Sequence, residues 1–448
     1  SLTCSLFGGD DLYDKLKNKH KGKVRVLKAP CMGKCDFAPA LELEHNHIDK
    51  ANLDKVDEVL YNKDFHPNNT DYINFKQYKA QGGYVLFNKV KSNEVTFEQL
   101  SNIISQSNLR GLGGAGFPAA KKWEFVRANN GPRMMCINGD EGEVGTFKDK
   151  YYLDLDPHRF LEGALIAAHM VSADKCFIYM RDEYPGIIKI LRNELTKLVN
   201  DGLINEGLVE IRRGAGAYIC GEESALIESV EGKRGIPRHR PPYVAQNGVF
   251  GFPTLVHNVE TVYWIREIYE KGAEWFLSFG RNGRKGLRSF SVSGFVNKPG
   301  VKLAPAGITV KELIDEYCGG MIEGHKLKAY LPGGASGGIL PEKLSNIPLD
   351  FDTLQEYGCF IGSAAVIIIS DKVQMKDVAI NLMKFFEDES CGQCTPCRNG
   401  TTMAVKLMKE NNWDLKLLKE VGNVMTDASI CGLGQAAANP LISIIKHF

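Results

Sequence analysis
The chain divides into four regions by the rhythm of its apolar and polar positions. In the first, "DDLYDKLKNKHKG" reads as a helix, "KVRVLKAP" as a strand and "NLDKVDEVLYN" as a second helix. The polar "NKDFHPNNTDY" that follows reads as a linker. From Tyr72 to Tyr269 helices and strands alternate, interrupted by glycine-rich turns. Here "RMMCIN" and "KCFIYM" are short strands of the buried type, and "GIIKILRNELTKLVNDG" is an amphipathic helix that stops at glycine. From Leu287 to Ser370 the period shortens to strands, "RSFSVSGFV", "KLKAYLPGG" and "AAVIIIS", around one helix, "TVKELIDEYCGG". The remainder is helical, with "MKDVAINLMKFFEDES", "GTTMAVKLMKENN" and "LKLLKEVGNVMTD". This succession predicts an α/β layer structure, then a small α+β unit and a helical end.

At 448 residues the chain is too long for one ordinary core, and two to four domains are expected. A formal net charge of +1 gives no global electrostatic case for nucleic acid or an anionic membrane. The longest apolar stretch, "CFIGSAAVIIIS", is too short and interrupted to span a bilayer. The opening "SLTCSLFGGDD" shows no basic region followed by an apolar one, so no secretory signal is read there. A cytoplasmic, reducing location is expected. In it the twelve cysteines serve as ligands or core residues rather than disulfides.

Three of those cysteines fall within "ESCGQCTPCRNG", spaced C-x-x-C-x-x-C at Cys391, Cys394 and Cys397; a remote one, Cys431, lies in "DASICGLGQ". Structural zinc usually takes paired CxxC knuckles or a CxxC with two histidines. Wrapping one small ion with three such closely spaced residues is awkward, whereas separate irons of a cuboidal [4Fe–4S] cluster can accept them in succession. Neither segment has a nearby histidine, so the set is all thiolate, in keeping with a soft iron–sulfur site. A zinc site and thiol–disulfide chemistry are the alternatives.

"RGLGGAGFPAAKKWEFV" holds G-x-G-x-x-G at Gly111, Gly113 and Gly116, with Lys121 and Lys122 in the helix after it. The dinucleotide fingerprint needs a preceding strand, yet "TFEQLSNIISQSNL" reads as a helix, so the usual NAD motif is not met. Glycine-loop amides, a helix N-terminus and lysine still suit a phosphate; a bend without ligand is the plain alternative. In "INGDEGEVGTF", Asp140, Glu141 and Glu143 crowd one turn. Carboxylates repel phosphate and fit sugar hydroxyls or a carboxamide better; otherwise they form a solvated acidic turn. "RRGAGAYICGEESALIESVEG" brings Tyr218, Cys220, Glu222 and Glu223 to a second glycine-lined approach, before the basic, proline-rich "KRGIPRHRPPY". Together these suggest a pocket for a large flat cofactor and a nucleotide.

The segments "GLGGAGFPAAKKWEF", "INGDEGEVGTFKD", "GAYICGEESALIESVEGKRGIPRHRPPY", "PTLVHNVET" and "ESCGQCTPCRNG", in that order, resemble the family of NADH-binding flavoprotein (51 kDa-type) subunits of respiratory complex I. The fused N-terminal region with "APCMGKCDFAPALELEHNHID" looks most like the β subunit of soluble NAD-dependent formate dehydrogenase. The resemblance implies four domains: a thioredoxin-like ferredoxin domain over 1–65, a Rossmann-like FMN- and NAD-binding α/β domain over 70–280, a β-grasp (soluble-ligand-binding) domain over 285–370, and a helical [4Fe–4S] domain over 373–448. FMN is expected at Gly111, Gly113, Gly114, Gly116, Lys122, Asn138, Asp140, Glu141, Tyr218, Gly221, Glu222, Glu223 and Asn258. The resemblance places the adenine of NAD(H) among Phe117, Phe125 and Tyr243, and has Glu143 and Glu223 orient the nicotinamide. Arg240 and Tyr243 stand where the complex I pattern usually has Lys and Phe, and both keep charge or aromaticity.

The resemblance makes Cys391, Cys394, Cys397 and Cys431 the cluster ligands. It gives Cys4, Cys31 and Cys35 to a [2Fe–2S] site that normally takes four cysteines, which leaves open whether that site is degenerate. No side chain need act as general acid or base, because hydride passes directly between nicotinamide and flavin. The implied role is that of a diaphorase subunit. Its partners would be a small [2Fe–2S] thioredoxin-like subunit and a large molybdenum or tungsten formate dehydrogenase subunit, without nucleic acid or membrane insertion. The same role in an NAD-linked hydrogenase or complex I is the alternative; the end of the chain at "SIIKHF", without further ferredoxin cysteines, favours formate dehydrogenase over a bifurcating hydrogenase. A zinc-stapled interaction module is the non-enzymatic reading.

Overall fold
The computed structural model describes residues 1–67 and 71–448, so part of the expected linker, 68–70, lies outside the described residues. The N-terminal unit holds helices Leu2–Leu6, Gly9–Lys19 and Leu53–Asn62 and a hairpin of β1 (Leu41–Leu43) and β2 (Asn46–Ile48). Its core is small: Leu16, Ile48, Ala51 and Val56. The strand expected in "KVRVLKAP" is not formed. Val24 and Val26 do turn inward and Arg25 and Leu27 outward, so the alternation is real. A strand also needs a ladder partner, and the three-residue strands of the hairpin pair only with each other.

The next region is built on β3 (Arg133–Gly139), β4 (Ala173–Met180), β5 (Val209–Arg213) and β6 (Thr254–Asn258), in the order β5-β4-β3-β6 and all parallel. Met135, Cys136 and Ile137 are buried in succession, as expected of a strand covered on both faces. The helix Pro157–Met170 lies against β3 and β4, with proline at its start and the Asp156 side chain accepting from the Arg159 amide. After β5 the chain passes back over the sheet to place β6 beside β3. The strand order therefore reverses between β3 and β6, where open α/β sheets bind ligands beyond their carboxyl ends.

A second, mixed sheet contains β7 (Leu287–Gly294), β8 (Gly300–Pro305), β9 (Leu327–Leu331), β10 (Leu340–Pro341) and β11 (Ala365–Ser370), in the order β10-β9-β11-β7-β8. Its central strand, β11, is buried throughout. Helices Met375–Glu389, Thr395–Met408, Leu415–Ala428, Gly432–Ala436 and Asn439–His447 close the chain. Several contacts fasten the N-terminal unit to this body. Phe7 stacks on Phe295 and the Thr3 hydroxyl meets that of Ser293 at 3.1 Å. The buried Arg181 donates to the Cys31 carbonyl, to the Glu141 carbonyl and to Glu183.

Candidate functional site
The carboxyl ends of the parallel sheet collect the acidic turn, the glycine loop and the second glycine segment. Asn138 and Asn258 are register partners at the last paired positions of β3 and β6, directly at the reversal point. The Asn138 amide donates to the Gly221 carbonyl at 2.9 Å and accepts from the Asp140 amide at 3.0 Å. That of Asn258 donates to Asp149 at 2.6 Å and accepts from the Glu260 amide. Both asparagines are thus held from behind.

The glycine loop closes on itself, with the Gly111 amide donating to Phe117 and the Gly116 amide to Gly111. It is preceded by the helix Phe97–Gln106, as expected, and followed by the helix Ala119–Arg127. A Cβ on Gly113 would stand 3.0 Å from the Cβ of Asn258, so glycine lets the loop lie directly on the end of β6. Gly114 faces the backbone of Gly362 and Ser363, and Gly116, with φ +65°, lies on the Phe351 ring; both contacts join this loop to the second sheet's region.

Around the site the carboxylates divide by task. Glu141 accepts from the amides of Asp149 and Lys150 and from the Tyr184 hydroxyl, so both its oxygens serve the helix Lys148–Leu155. Burial, with Asp149 beside it, pushes its carboxyl up. Glu143 is buried and accepts from the Ser336 amide at 2.8 Å, its hydroxyl at 3.1 Å and the Tyr218 hydroxyl; burial raises it too. Glu222 caps the helix Glu223–Val230 and pairs with Arg240. Glu223 lies between Lys122, at 3.6 Å, and Arg240, at 3.5 Å. Asp140 differs from all of these. Its Oδ2 is buried without a partner, close enough to Gly221 that a Cβ there would come within 3.6 Å, and burial pushes the carboxyl up to about 8. A lone buried acceptor beside glycines that leave room fits a hydrogen-bonding ligand such as the ribityl chain of a flavin. On the rim, Phe117 and Phe125 pair at 6.0 Å between ring centres; both rings and Tyr243 are exposed.

The four cysteines of the helical region also converge. Cys391 follows the helix Met375–Glu389, Cys394 caps the start of the helix Thr395–Met408, Cys397 lies in its first turn and Cys431 caps Gly432–Ala436. Arg398 fastens the loop by donating to the Gly392 carbonyl and the Thr395 hydroxyl. Burial pushes the Cys397 thiol up to about 11, and Cys394, Cys431 and Cys391 oppose its ionisation further. A buried thiol that resists ionising needs a cationic centre to become a ligand, which fits an iron–sulfur group. No group of three or more His, Cys, Asp or Glu among the described residues is arranged for a single metal ion.

The two places touch. The Tyr218 amide donates to Glu389 at 3.0 Å, the Tyr218 ring packs on Phe385 at 5.1 Å, and Arg234 donates to the Cys391 carbonyl at 2.8 Å. In the N-terminal unit, the Sγ atoms of Cys31 and Cys35 are 3.3 Å apart, with Cys4 Sγ accepting from the Ala40 amide. Mutual hydrogen bonding lowers Cys31 and raises Cys35. Sequence reasoning missed Asp149, Ser336, Glu389 and Arg234. Asp149 lies inside the motif "INGDEGEVGTFKD", but Ser336 comes from the turn between β9 and β10 and no local pattern marks it.

Fold and site define a flavoprotein with an adjoining iron–sulfur region. The family described as the Nuo51 FMN-binding domain matches residues 104–267, and that described as the NADH-ubiquinone oxidoreductase-F iron-sulfur binding region matches 377–448. The chain is 39% identical over 386 residues to an NADH-quinone oxidoreductase subunit of Rhizobium meliloti (strain 1021), covering 83% of this chain and 91% of that one. It is 42% identical over 361 residues to the mitochondrial NADH dehydrogenase [ubiquinone] flavoprotein 1 of Dictyostelium discoideum, covering 76% and 75%. An NAD+-reducing [NiFe]-hydrogenase in the H2-reduced state superposes with a TM-score of 0.89 at 29% identity, over 100% of this chain and 82% of that chain. The chain belongs to the family of NADH-binding flavoprotein (51 kDa-type) subunits. Its cofactors are FMN, NAD(H) and a [4Fe–4S] cluster; the family match, rather than cysteine spacing, decides between cluster and zinc. Among the described residues no helix is long and apolar enough to cross a membrane.

Proposed function
We propose that this chain exchanges electrons between NAD(H) and an iron–sulfur chain as the diaphorase subunit of a larger NAD-dependent oxidoreductase. The observation that carries this reading is the direct join between the two sites, where Tyr218 bonds Glu389 and Arg234 bonds the loop of Cys391. In it, Gly113, Asn138, Asp140, Gly221 and Asn258 hold the flavin at the reversal point of the sheet. Lys122 is the positive charge at the glycine loop, and Phe117, Phe125 and Tyr243 are the exposed faces on which an adenine stacks. Glu143 and Glu223 orient the nicotinamide. Cys391, Cys394, Cys397 and Cys431 hold the cluster. Bound there, the flavin supplies the conversion between two-electron hydride exchange and one-electron transfer. The protein's part is to fix the reacting groups and keep the approach dry.

The larger assembly proposed is a cytoplasmic NAD-dependent formate dehydrogenase, with a small [2Fe–2S] thioredoxin-like subunit and a large molybdenum or tungsten subunit as partners. The fused N-terminal unit with its three neighbouring thiols supports it. The four-domain division at 1–65, 70–280, 285–370 and 373–448 belongs to the same proposal. A second reading, an NAD-linked hydrogenase, is favoured by the likeness over the whole chain to the hydrogenase structure. The native complex assayed for NAD+ reduction by formate and by hydrogen separates them. Formate-dependent reduction is expected; reduction with hydrogen alone would overturn the formate assignment, and activity with neither would leave only the diaphorase reading.

A further inference from the structure
Ser429 precedes Cys431 by two residues and is 7% exposed, and among the described residues its Oγ is the only buried hydroxyl oxygen without a hydrogen-bond partner. Its backbone is already committed, the amide to Met425 at 3.2 Å and the carbonyl to the Gln435 side chain at 3.0 Å. The main chain at this position is therefore fixed by its own hydrogen bonds. A Cβ added at Gly434 would stand 2.6 Å from both Cβ and Oγ of Ser429 and 3.0 Å from Cβ of Cys397. Glycine at 434 thus allows the Cys431 turn, Cys397 and the Ser429 hydroxyl to crowd together.

A buried hydroxyl without an acceptor costs free energy. Among the described residues no polar atom of this corner accepts from it. The Ser390 hydroxyl is engaged, meeting Cys397 Sγ at 3.4 Å and accepting from the Gly392 amide. The amides of Leu433 and Gly434 are directed at Cys431. What this corner offers in excess is donors around sulfur.

We propose that the Ser429 hydroxyl donates a hydrogen bond to a sulfur of the iron–sulfur group held by the four cysteines, and so raises its reduction potential. The inference rests on the cluster assignment of those cysteines. Taking up one electron makes the group more negative, so a donor stabilises the reduced form more than the oxidised one. Ser429 acts here as a positioning and tuning residue and is not a ligand.

The test is an anaerobic redox titration of the purified protein, followed by the electron paramagnetic resonance of the reduced cluster, with iron counted in parallel. Ser429→Ala is expected to keep four irons and to shift the equilibrium about tenfold toward the oxidised form, about 59 mV for one electron. Ser429→Thr, which keeps the hydroxyl, should restore most of the potential. If alanine fails to load the cluster, Ser429→Thr and Ser429→Val make the decisive pair, since they share a shape and differ in the donor. Equal potentials in that pair, or in wild type and a fully loaded alanine variant, would overturn the inference. A wild-type protein that holds fewer than four irons would overturn the cluster assignment beneath it.

Discussion

The carboxyl of Asp140 stands at the end of β3 with one oxygen buried and unpartnered, and burial pushes it up to about 8. Its ordinary value in an unfolded chain is 3.8, so the folded, flavin-free protein favours the protonated form. The linked stability is fully present below about pH 4 and lost as pH rises through about 8. Asparagine mimics the protonated acid and cannot ionise. Asp140→Asn is therefore expected to flatten the fall in stability of the flavin-free protein between about pH 4 and 8, by up to a few kcal/mol across the window, and the fall in Tm with it. Glu141 moves in the same direction, also from burial, so some slope remains. Thermal melts across this range check it; parallel curves for variant and wild type would count against the unpartnered state of Asp140.

Between elements, the most informative contact is the one that Glu143 makes with Ser336. It joins the acidic turn after β3 to the turn between β9 and β10, and Asn439 donates to the Ser336 carbonyl at 2.9 Å from the last helix. Three regions thus fix one carboxylate. Ser336→Ala removes a hydroxyl donor to it while leaving the amide bond, and is expected to cost about 1–2 kcal/mol of stability. FMN content should stay at wild-type level, while KM for NADH rises several-fold and kcat changes less. Loss of flavin, or an unchanged KM, would show that Ser336 does not position Glu143. The difference between what the sequence revealed and what it hid has the same origin. Long periodic segments such as Pro185–Asn200 and Met375–Glu389, and apolar runs such as β3, β4 and β11, are legible because each buries its own pattern. β5 and β6 are short, and β5 is only half-buried, so neither shows a strong period. "KVRVLKAP" has the alternation of a strand but lacks a neighbour to pair with, which no local pattern can reveal. Likewise the glycines and cysteines were readable as motifs, whereas Ser336, Glu389 and Arg234 matter only through contacts with distant segments.

At the scale of the whole molecule, the parallel sheet, the mixed sheet and the helical end meet around one line of residues. That line runs from Asn258 and Asn138 through Gly221 and Tyr218 to Glu389 and the four cysteines. The N-terminal unit has a core too small to stand as a large domain of its own, and it is tied to this body through Arg181 and Phe7. The Cys31 carbonyl that Arg181 holds belongs to the same short turn as Cys35, so the thiol pair sits against the residue that also holds the acidic turn of the flavin site. The central claim is that electrons entering from NADH at the sheet reach the four-cysteine site within this one chain. The most direct measurement is anaerobic addition of NADH to the purified protein, with flavin absorbance and the cluster's electron paramagnetic resonance recorded together. One FMN and at least four irons per chain are expected, with bleaching of the flavin and appearance of a reduced-cluster signal that Cys431→Ser diminishes or alters. A colourless protein carrying a single zinc, or a flavin that bleaches while a fully loaded cluster of suitable potential stays oxidised, would contradict it.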